Sequence, residues 1–297
     1  MKVAVTGPNG WIAKALKQKL LSQSITSIGV NRTWLAQQTT QDEASLTQAL
    51  SGCDSVIHLA ALVHQMKAAP TLADYQAINC ELTLKLARTA ADAGVQQFIF
   101  VSTAKVMGEQ SSSPFTESDV PAPTDAYSIS KLDAETGLRK LQQTGKLGSM
   151  KIVVVRPPLV FGAGVGANYE KLIALANTRW PLPLGGATAK RSMVSIDRLN
   201  DGLVALLKAR DQLKNYELFF AAEPVDQSTA TIILETRQAK GRHGGLITVP
   251  SKLMQATLSA VGKKGIYDRL FTSLQVDGSR LNDLIRNTSK IPLNSKD

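Results

Sequence analysis

Tyr127 and Lys131 stand four residues apart in Tyr127-Ser128-Ile129-Ser130-Lys131, a spacing that puts both side chains on one face of a helix, one turn from each other. A free phenol titrates near ~10 and is a poor acid or base at neutral pH. A lysine ammonium beside it favours the phenolate and draws that value toward the working range. Upstream, the apolar run Phe98 to Val101 reads as a buried strand that ends in Ser102-Thr103. A hydroxyl at the carboxyl end of a strand can hold a carbonyl beside the tyrosine. Thr103, Tyr127 and Lys131 are therefore a candidate proton-transfer unit for carbonyl–alcohol interconversion. A tyrosine–lysine pair alone is a weak signal, because the same spacing arises by chance in many helices. The elements that position it must carry the case.

The chain opens on a short β-rich run, Lys2 to Thr6, followed by Gly7-Pro8-Asn9-Gly10-Trp11-Ile12-Ala13 and an amphipathic helix over about 12–21. Strand, glycine turn and helix in that order are the setting of a dinucleotide fingerprint. Gly7 permits the tight turn and Gly10 lets the backbone approach a diphosphate. Ala13 is small enough for the third glycine position. The diphosphate would rest on the helix N-terminus. A second strand, Ser24 to Val30, ends in Asn31-Arg32, with no Asp or Glu before Asp42. An acid there would hold the ribose 2′-hydroxyl of NAD, whereas an arginine suits a 2′-phosphate. The expected cofactor is NADP(H), with NAD(H) possible if Arg32 is only a solvated residue.

Further on, the sequence alternates strands and helices. A short helix covers about 43–50 and a buried strand runs from Ser55 to Leu59, ending in Ala60-Ala61, where small residues let a cofactor lie flat. His58, inside that strand, reads as a satisfied core histidine, and His64, past its end, as a candidate substrate contact. A long helix from Thr71 stops at Gly94 and carries a polar Asn79 placed to orient the catalytic segment. A Ser/Pro loop over 111–123 precedes the helix over 125–143 that holds Tyr127 and Lys131, and a strand from Ile152 to Val155 leads into Arg156-Pro157-Pro158. This alternation predicts an α/β fold with a doubly wound parallel Rossmann sheet over residues 1–160. After residue 160 the texture changes to glycine- and proline-rich stretches, with helices near 168–178, 197–209 and 227–238 and a strand from Leu218 to Ala221. These predict a smaller C-terminal α/β substrate lobe over 161–297, interleaved with the first domain.

The 297 residues are 43% hydrophobic, enough for a sizeable core. The net charge is +10, but the basic residues are dispersed. That pattern fits a solvated basic surface, or attraction to small phosphate-rich ligands, and lacks the concentrated patch that nucleic-acid binding needs. Cys53 and Cys80 form neither metal-type spacing nor a disulfide framework. No stretch approaches the ~18 apolar residues of a membrane span. With a strand at the start and no leader pattern, a cytoplasmic location is expected.

T-G-x-x-G-x-I-A, V-I-H-L-A-A, F-V-S-T-A-K-V-M-G-E, Y-S-I-S-K and R-P-P-L-V-F-G, in that order over residues 1 to about 200, resemble the extended short-chain dehydrogenase/reductase family. The resemblance is to its nucleotide-sugar subgroup of 4-epimerases and 4-keto-sugar reductases, some from surface-polysaccharide pathways. It implies a Rossmann fold holding NAD(P), a C-terminal lobe holding a nucleotide sugar such as a UDP-sugar, and a homodimer built from the helices over 71–94 and 125–143. It assigns the proton donor to Tyr127, the lysine to Lys131 and the Ser/Thr to Thr103. It sets the cofactor against Gly7, Asn9, Gly10, Trp11, Ile12, Asn31, Arg32, Leu59, Ala60, Ala61, Asn79, Val101, Ser102, Tyr127, Lys131 and Pro157. It sets the substrate against His64, Lys105, Asn168 and Arg191. Arg191 opens R-S-M-V-S-I-D, similar to the family's diphosphate-gripping pattern, and Asn168 resembles a second diphosphate contact.

The departures are informative. Sugar 4,6-dehydratases of the family carry Asp-Glu directly after the threonine, where this chain has Ala104-Lys105. Met107 replaces a frequent tyrosine, and the C-terminal lobe is short. Three functions follow. The first is reduction of a UDP-4-keto-hexose with NADPH, favoured by the missing acid after the second strand. The second is 4-epimerisation, and the third is a nucleotide-sensing protein without catalysis, against which the intact Thr103, Tyr127 and Lys131 argue.

Overall fold

The structure is a computed structural model that describes residues 1–31, 40–63, 70–162, 168–242, 244–260, 262 and 264–289. Five strands follow the expected order: β1 (Lys2–Thr6), β2 (Thr26–Val30), β3 (Ser55–His58), β4 (Gln97–Val101) and β5 (Lys151–Arg156). Beyond them lie β6 (Leu159–Phe161), β7 (Lys190–Arg191), β8 (Met193–Ser195), β9 (Tyr216–Phe220) and β10 (Gln227–Ser228). The main sheet has six strands in the order β2-β1-β3-β4-β5-β9, and every pairing is parallel. A parallel sheet must be covered on both faces, and alternate residues of each strand feed two separate cores. Ala4, Val56, Phe98, Phe100, Ile152, Val154 and Phe220 face helices Thr40–Leu50, Leu82–Asp92 and Ala126–Gln143. Val3, Val5, Ile57, Ile99, Val153, Val155 and Phe219 face helices Trp11–Ser22 and Ile196–Lys208.

Two elements expected in the smaller lobe instead belong to the main sheet and its cover, because β9 pairs with β5. Strand β9 and helix Ile196–Lys208, whose sequence lies within the change of texture after residue 160, complete the Rossmann sheet and one of its cores. What remains of the lobe packs around its own small cluster, Ala176, Leu182, Leu184, Ala187 and Ile233. It includes helices Asn168–Ala176 and Thr229–Ala239. Helices Ser251–Ala260, Lys264–Phe271 and Ser279–Thr288 complete the described C-terminal part and have no counterpart in the sequence expectations. Among the described residues no helix is long and apolar enough to cross a membrane.

The helix expected from Thr71 starts there, with a capping box in which the Thr71 hydroxyl accepts from Asp74 N and the Asp74 carboxylate accepts from Thr71 N. It is not one uniform helix. Leu72–Tyr75 passes into a π-helical segment, Gln76–Glu81, before resuming as Leu82–Asp92. Segments of this kind cluster at functional sites, because the extra residue turns side chains out of α register. Here the turned residue is Asn79, fully buried.

Candidate active site

The carboxyl ends of β1, β3, β4 and β5 converge. At the first, Gly7 adopts a left-handed φ of +65°, and a Cβ there would lie 3.1 Å from the Cα of Ala60. The glycine is therefore required twice, for the turn and for the close approach of β3's continuation. Gly10 N donates to Gly7 O at 2.9 Å, and Gly10 then caps helix Trp11–Ser22 without any side-chain hydrogen bond to the first turn. The first N–H groups of that helix thus have no side-chain cap among the described residues, a setting for an anion. Thr6 Oγ1 accepts from Leu59 N and Ala60 N, both at 3.1 Å, which folds Leu59-Ala60 over the turn.

Behind this turn runs a buried polar chain. Thr6 Oγ1 lies 2.7 Å from His58 Nδ1, and His58 Nε2 lies 2.9 Å from Thr83 Oγ1. Thr83 donates to Asn79 O at 2.7 Å. The Asn79 amide accepts from Leu62 N at 2.7 Å and donates to Ser130 Oγ at 3.1 Å, and Ser130 donates to Tyr127 O at 2.8 Å. Because Thr83 donates onward, His58 must offer its Nε2 proton to Thr83 and accept from Thr6 at Nδ1. Burial, and then the Lys131 charge, drive His58 down to about 3, so it stays neutral. His58 is the satisfied core histidine that its strand position suggests. Asn79 makes the expected hydrogen bond to the segment of Tyr127, through Ser130, and its other partner is Leu62 in the loop after β3. Thr6, Thr83 and Ser130 were missed from sequence. The only hint was the threonine opening the glycine motif.

Strand β4 delivers Ser102 and Thr103. Ser102 N donates to Val155 O at 2.7 Å and Ala104 N to Pro157 O at 2.8 Å, so the buried Pro157 pins the turn to the end of β5. The Ser102 hydroxyl is buried and has no hydrogen-bond partner among the described residues. Thr103 begins a 3-10 turn, Ala104–Met107, and its Oγ1 accepts from Lys105 N at 3.3 Å. Its hydroxyl proton is left to donate elsewhere.

Helix Ala126–Gln143 is capped by Asp125, whose carboxylate accepts from Ser128 N at 2.7 Å. In the first turn, Tyr127 meets Tyr75 edge-on, with ring centroids 6.2 Å apart. Lys131 is 1% exposed, with Nζ 4.0 Å from the Phe100 ring centroid. The expectation that lysine draws the phenol downward is reversed in this chain. Burial, then Asp125 and Tyr75, push Tyr127 up to about 12. Burial also brings Lys131 down to about 7, with Glu135 opposing. In so dry a setting desolvation disfavours the charged form of each group. Glu135 is itself occupied, since the Arg156 guanidinium grips it at 2.5 Å with both side chains buried. Arg156 NH1 also contacts Met107 Sδ at 3.1 Å, which gives Met107 a packing role.

The remaining expected residues divide. Asn31 is exposed at the end of β2, while Arg32 and His64 lie outside the described residues. Asn168 opens helix Asn168–Ala176, and its side chain also lies outside them. Arg191 is half-buried on β7, with NH1 donating to Thr272 O at 2.9 Å. Lys105 is held by carboxylates, 2.6 Å from Asp125 Oδ2 and 3.0 Å from Glu109 Oε1.

The donor set fits a dinucleotide: a glycine turn that tolerates no Cβ, a helix N-terminus with no side-chain cap, small residues after β3 and, among the described residues, an unpartnered buried hydroxyl after β4. A family model described as "NAD dependent epimerase/dehydratase family" matches residues 3–222. The chain belongs to this family. A UDP-glucose 4-epimerase of Vibrio cholerae is 37% identical over 238 residues, which are 77% of this chain and 70% of that one. A 4-hydroxy-2-methyl-3-oxo-4-farnesyl-3,4-dihydroquinoline-1-oxide ketoreductase of Stigmatella aurantiaca is 26% identical over 83% of this chain and 76% of its own. Among solved structures, the UDP-glucuronic acid 4-epimerase of Bacillus cereus in complex with NAD superposes with a TM-score of 0.70 at 22% identity, covering 96% of this chain and 92% of that one. As a family member the chain is an extended short-chain dehydrogenase/reductase with the family's Rossmann sheet.

Proposed function

We propose that the chain is an NADP(H)-linked oxidoreductase acting at C4 of a nucleotide sugar, in the direction that reduces a UDP-4-keto-hexose. The observation that carries the reading is the reacting corner itself. Thr103, Tyr127 and Lys131 are intact, yet Thr103 is followed by a buried Ala104 and by a lysine whose ammonium faces two carboxylates. That arrangement supports carbonyl–alcohol exchange and offers no acid–base pair for eliminating water.

The dinucleotide, when bound, supplies or accepts the hydride. The chain supplies the rest. Residues Gly7, Asn9, Gly10, Trp11 and Ile12 would hold its diphosphate, Asn31 and Arg32 its ribose, and Leu59, Ala60, Ala61, Asn79, Val101, Ser102 and Pro157 its nicotinamide half. Tyr127, neutral because it is buried, gives its hydroxyl proton to the C4 oxygen. Thr103, already accepting from Lys105 N, donates to the same oxygen. Lys131, poised near neutrality, returns a proton to the phenolate. Arg191 and Asn168 would hold the diphosphate of the sugar nucleotide, with His64 near the sugar.

The identity to the Vibrio cholerae enzyme favours a second reading, UDP-hexose 4-epimerisation. The two differ in redox balance. Incubation with a panel of UDP-sugars and UDP-4-keto-sugars, with either dinucleotide and with product analysis, separates them. A reductase consumes one NADPH per keto-sugar. Interconversion of C4 epimers without net cofactor consumption overturns the reductase reading in favour of the epimerase. A protein that binds nucleotide and turns over neither class overturns both in favour of a sensor.

A further inference from the structure

Lys105 occupies an unusual position. Its backbone N–H donates to Thr103 Oγ1 at 3.3 Å, while its ammonium lies 2.6 Å from Asp125 Oδ2. Asp125 in turn caps the helix of Tyr127, accepting at Oδ1 from Ser128 N at 2.7 Å and from Ser128 Oγ at 2.9 Å. One residue therefore joins the supports of both reacting hydroxyls, across 20 residues of sequence. Glu109, at 3.0 Å, is the second carboxylate on the ammonium.

We infer that Lys105 and Asp125 form a positioning pair: the ion pair fastens the Thr103 turn to the first turn of the catalytic helix and cancels the carboxylate charge that Tyr127 faces. The inference rests on Tyr127 as proton donor. The charges around Tyr127 come from every element packed on it. Its own helix carries Lys131 and is capped by Asp125, Leu72–Tyr75 brings the Tyr75 ring edge-on, and the 3-10 turn brings Lys105, whose ammonium is held by Asp125 and Glu109. Of these, Asp125 is the fixed anion that opposes the phenolate. Burial opposes the charge of Asp125, yet Lys105 and the Ser128 cap hold its carboxyl below the usual range, so it is an anion at working pH. Asp125 and Glu109 outweigh burial at Lys105 and hold its ammonium above the usual lysine range. Without that cation, the negative charge beside the proton donor stands uncompensated. The ammonium is already engaged by carboxylates, which argues for this role over direct contact with substrate.

The test follows the titration of Tyr127 itself, by NMR of protein carrying ring-labelled tyrosine, with Tyr127→Phe identifying the resonance and circular dichroism reporting the fold. No substrate or cofactor is needed, so the result is independent of which reaction the chain catalyses. Lys105→Met bares the Asp125 charge and is expected to move the Tyr127 titration upward. Asp125→Asn removes the charge, keeps a good helix cap, and is expected to move it downward. Each shift should be a few tenths to about one pH unit, because the pair is partly exposed to water. The double variant should return close to the parent, Lys105→Arg should preserve it, and Glu109→Gln should leave it in place. Single variants that both move the titration the same way, or leave it unmoved, overturn the inference. So does a Lys105→Met variant whose only defect is a raised KM for the sugar nucleotide, which would make Lys105 a hand on the substrate. If Lys105→Met does not fold, Asp125→Asn and Glu109→Gln still decide, because equal shifts from the two would deny the pair its special place. A Tyr127→Phe enzyme with full turnover would sink the donor assignment while leaving the titration result readable.

Discussion

Replacing Gly7 by alanine tests the reading of the first turn, and the structure supplies its own control. Two costs meet at Gly7. Its φ of +65° lies in the left-handed region, and the new Cβ would sit 3.1 Å from the Cα and 3.2 Å from the N of Ala60. Gly52 has nearly the same backbone, φ +70°, with nothing within 4 Å of a Cβ. Gly52→Ala therefore measures the conformational term alone, about 1 kcal/mol once the stiffer unfolded chain is credited. Gly7→Ala adds an overpacking term of about 1–3 kcal/mol, because the atoms it strikes are backbone and cannot rotate aside. Thermal unfolding should fall by a few degrees for Gly52→Ala and by two to four times that for Gly7→Ala, at about 2–4 °C per kcal/mol for a domain of this size. Dinucleotide titration should show an affinity at least ~10-fold weaker, about 1.4 kcal/mol, for the Gly7 variant alone. Equal destabilisation by the two variants, or unchanged dinucleotide affinity in Gly7→Ala, would refute the close-approach argument.

Four further outcomes are expected. Tyr127→Phe should lower kcat by ~10²–10⁴ with little change in dinucleotide binding, as steady-state kinetics and titration will show. Lys131→Met should abolish turnover yet raise thermal stability. The folded-state value of about 7 lies below that of an unfolded lysine, so between the two the unfolded chain binds the extra proton, and stability rises with pH across that window. The gain from Lys131→Met should accordingly be larger at neutral than at alkaline pH, at about 1.4 kcal/mol per unit of depression. Arg191→Ala should raise KM for the sugar nucleotide roughly ten- to a hundredfold with dinucleotide affinity unchanged, from the loss of one charge-assisted bond; an unmoved KM would place Arg191 off the substrate. Light scattering at micromolar concentration should report a dimer, and a monomer would remove the four-helix contact over 71–94 and 125–143.

What could be read from sequence was what is local. A glycine turn between strand and helix, and a tyrosine and lysine one turn apart, announce themselves because their geometry is set by near neighbours. The alternation of strands and helices gave the parallel sheet for the same reason. The rest depends on contacts across the chain. Nothing in Gln76–Glu81 distinguishes a π-helical segment from an α-helical one, yet that segment decides where Asn79 points. The partners of His58 lie 52 and 25 residues away, and Lys105 finds Asp125 across a loop. The direction of the Tyr127 shift was misjudged because a lysine four residues off is visible in sequence and the depth of burial is not. The two- and three-residue strands β6, β7, β8 and β10 are too short to leave a periodic pattern. Strand β9 has the right pattern, but only pairing shows which sheet it joins.

The position of β9 sets the order in which this protein can be completed. The edge of β5 waits for a partner that the ribosome delivers some sixty residues later, after β6, helix Asn168–Ala176, β7, β8 and helix Ile196–Lys208 have emerged. A nascent chain halted before Tyr216 carries an open, apolar parallel edge, the kind of surface that invites mispairing and chaperones. It also lacks Phe220, against which the Arg156 guanidinium lies at 5.7 Å. The Arg156–Glu135 ion pair thus gains its Phe220 neighbour only once β9 has been made. Cutting the gene between β5 and β9 should give fragments that fold only when translated together.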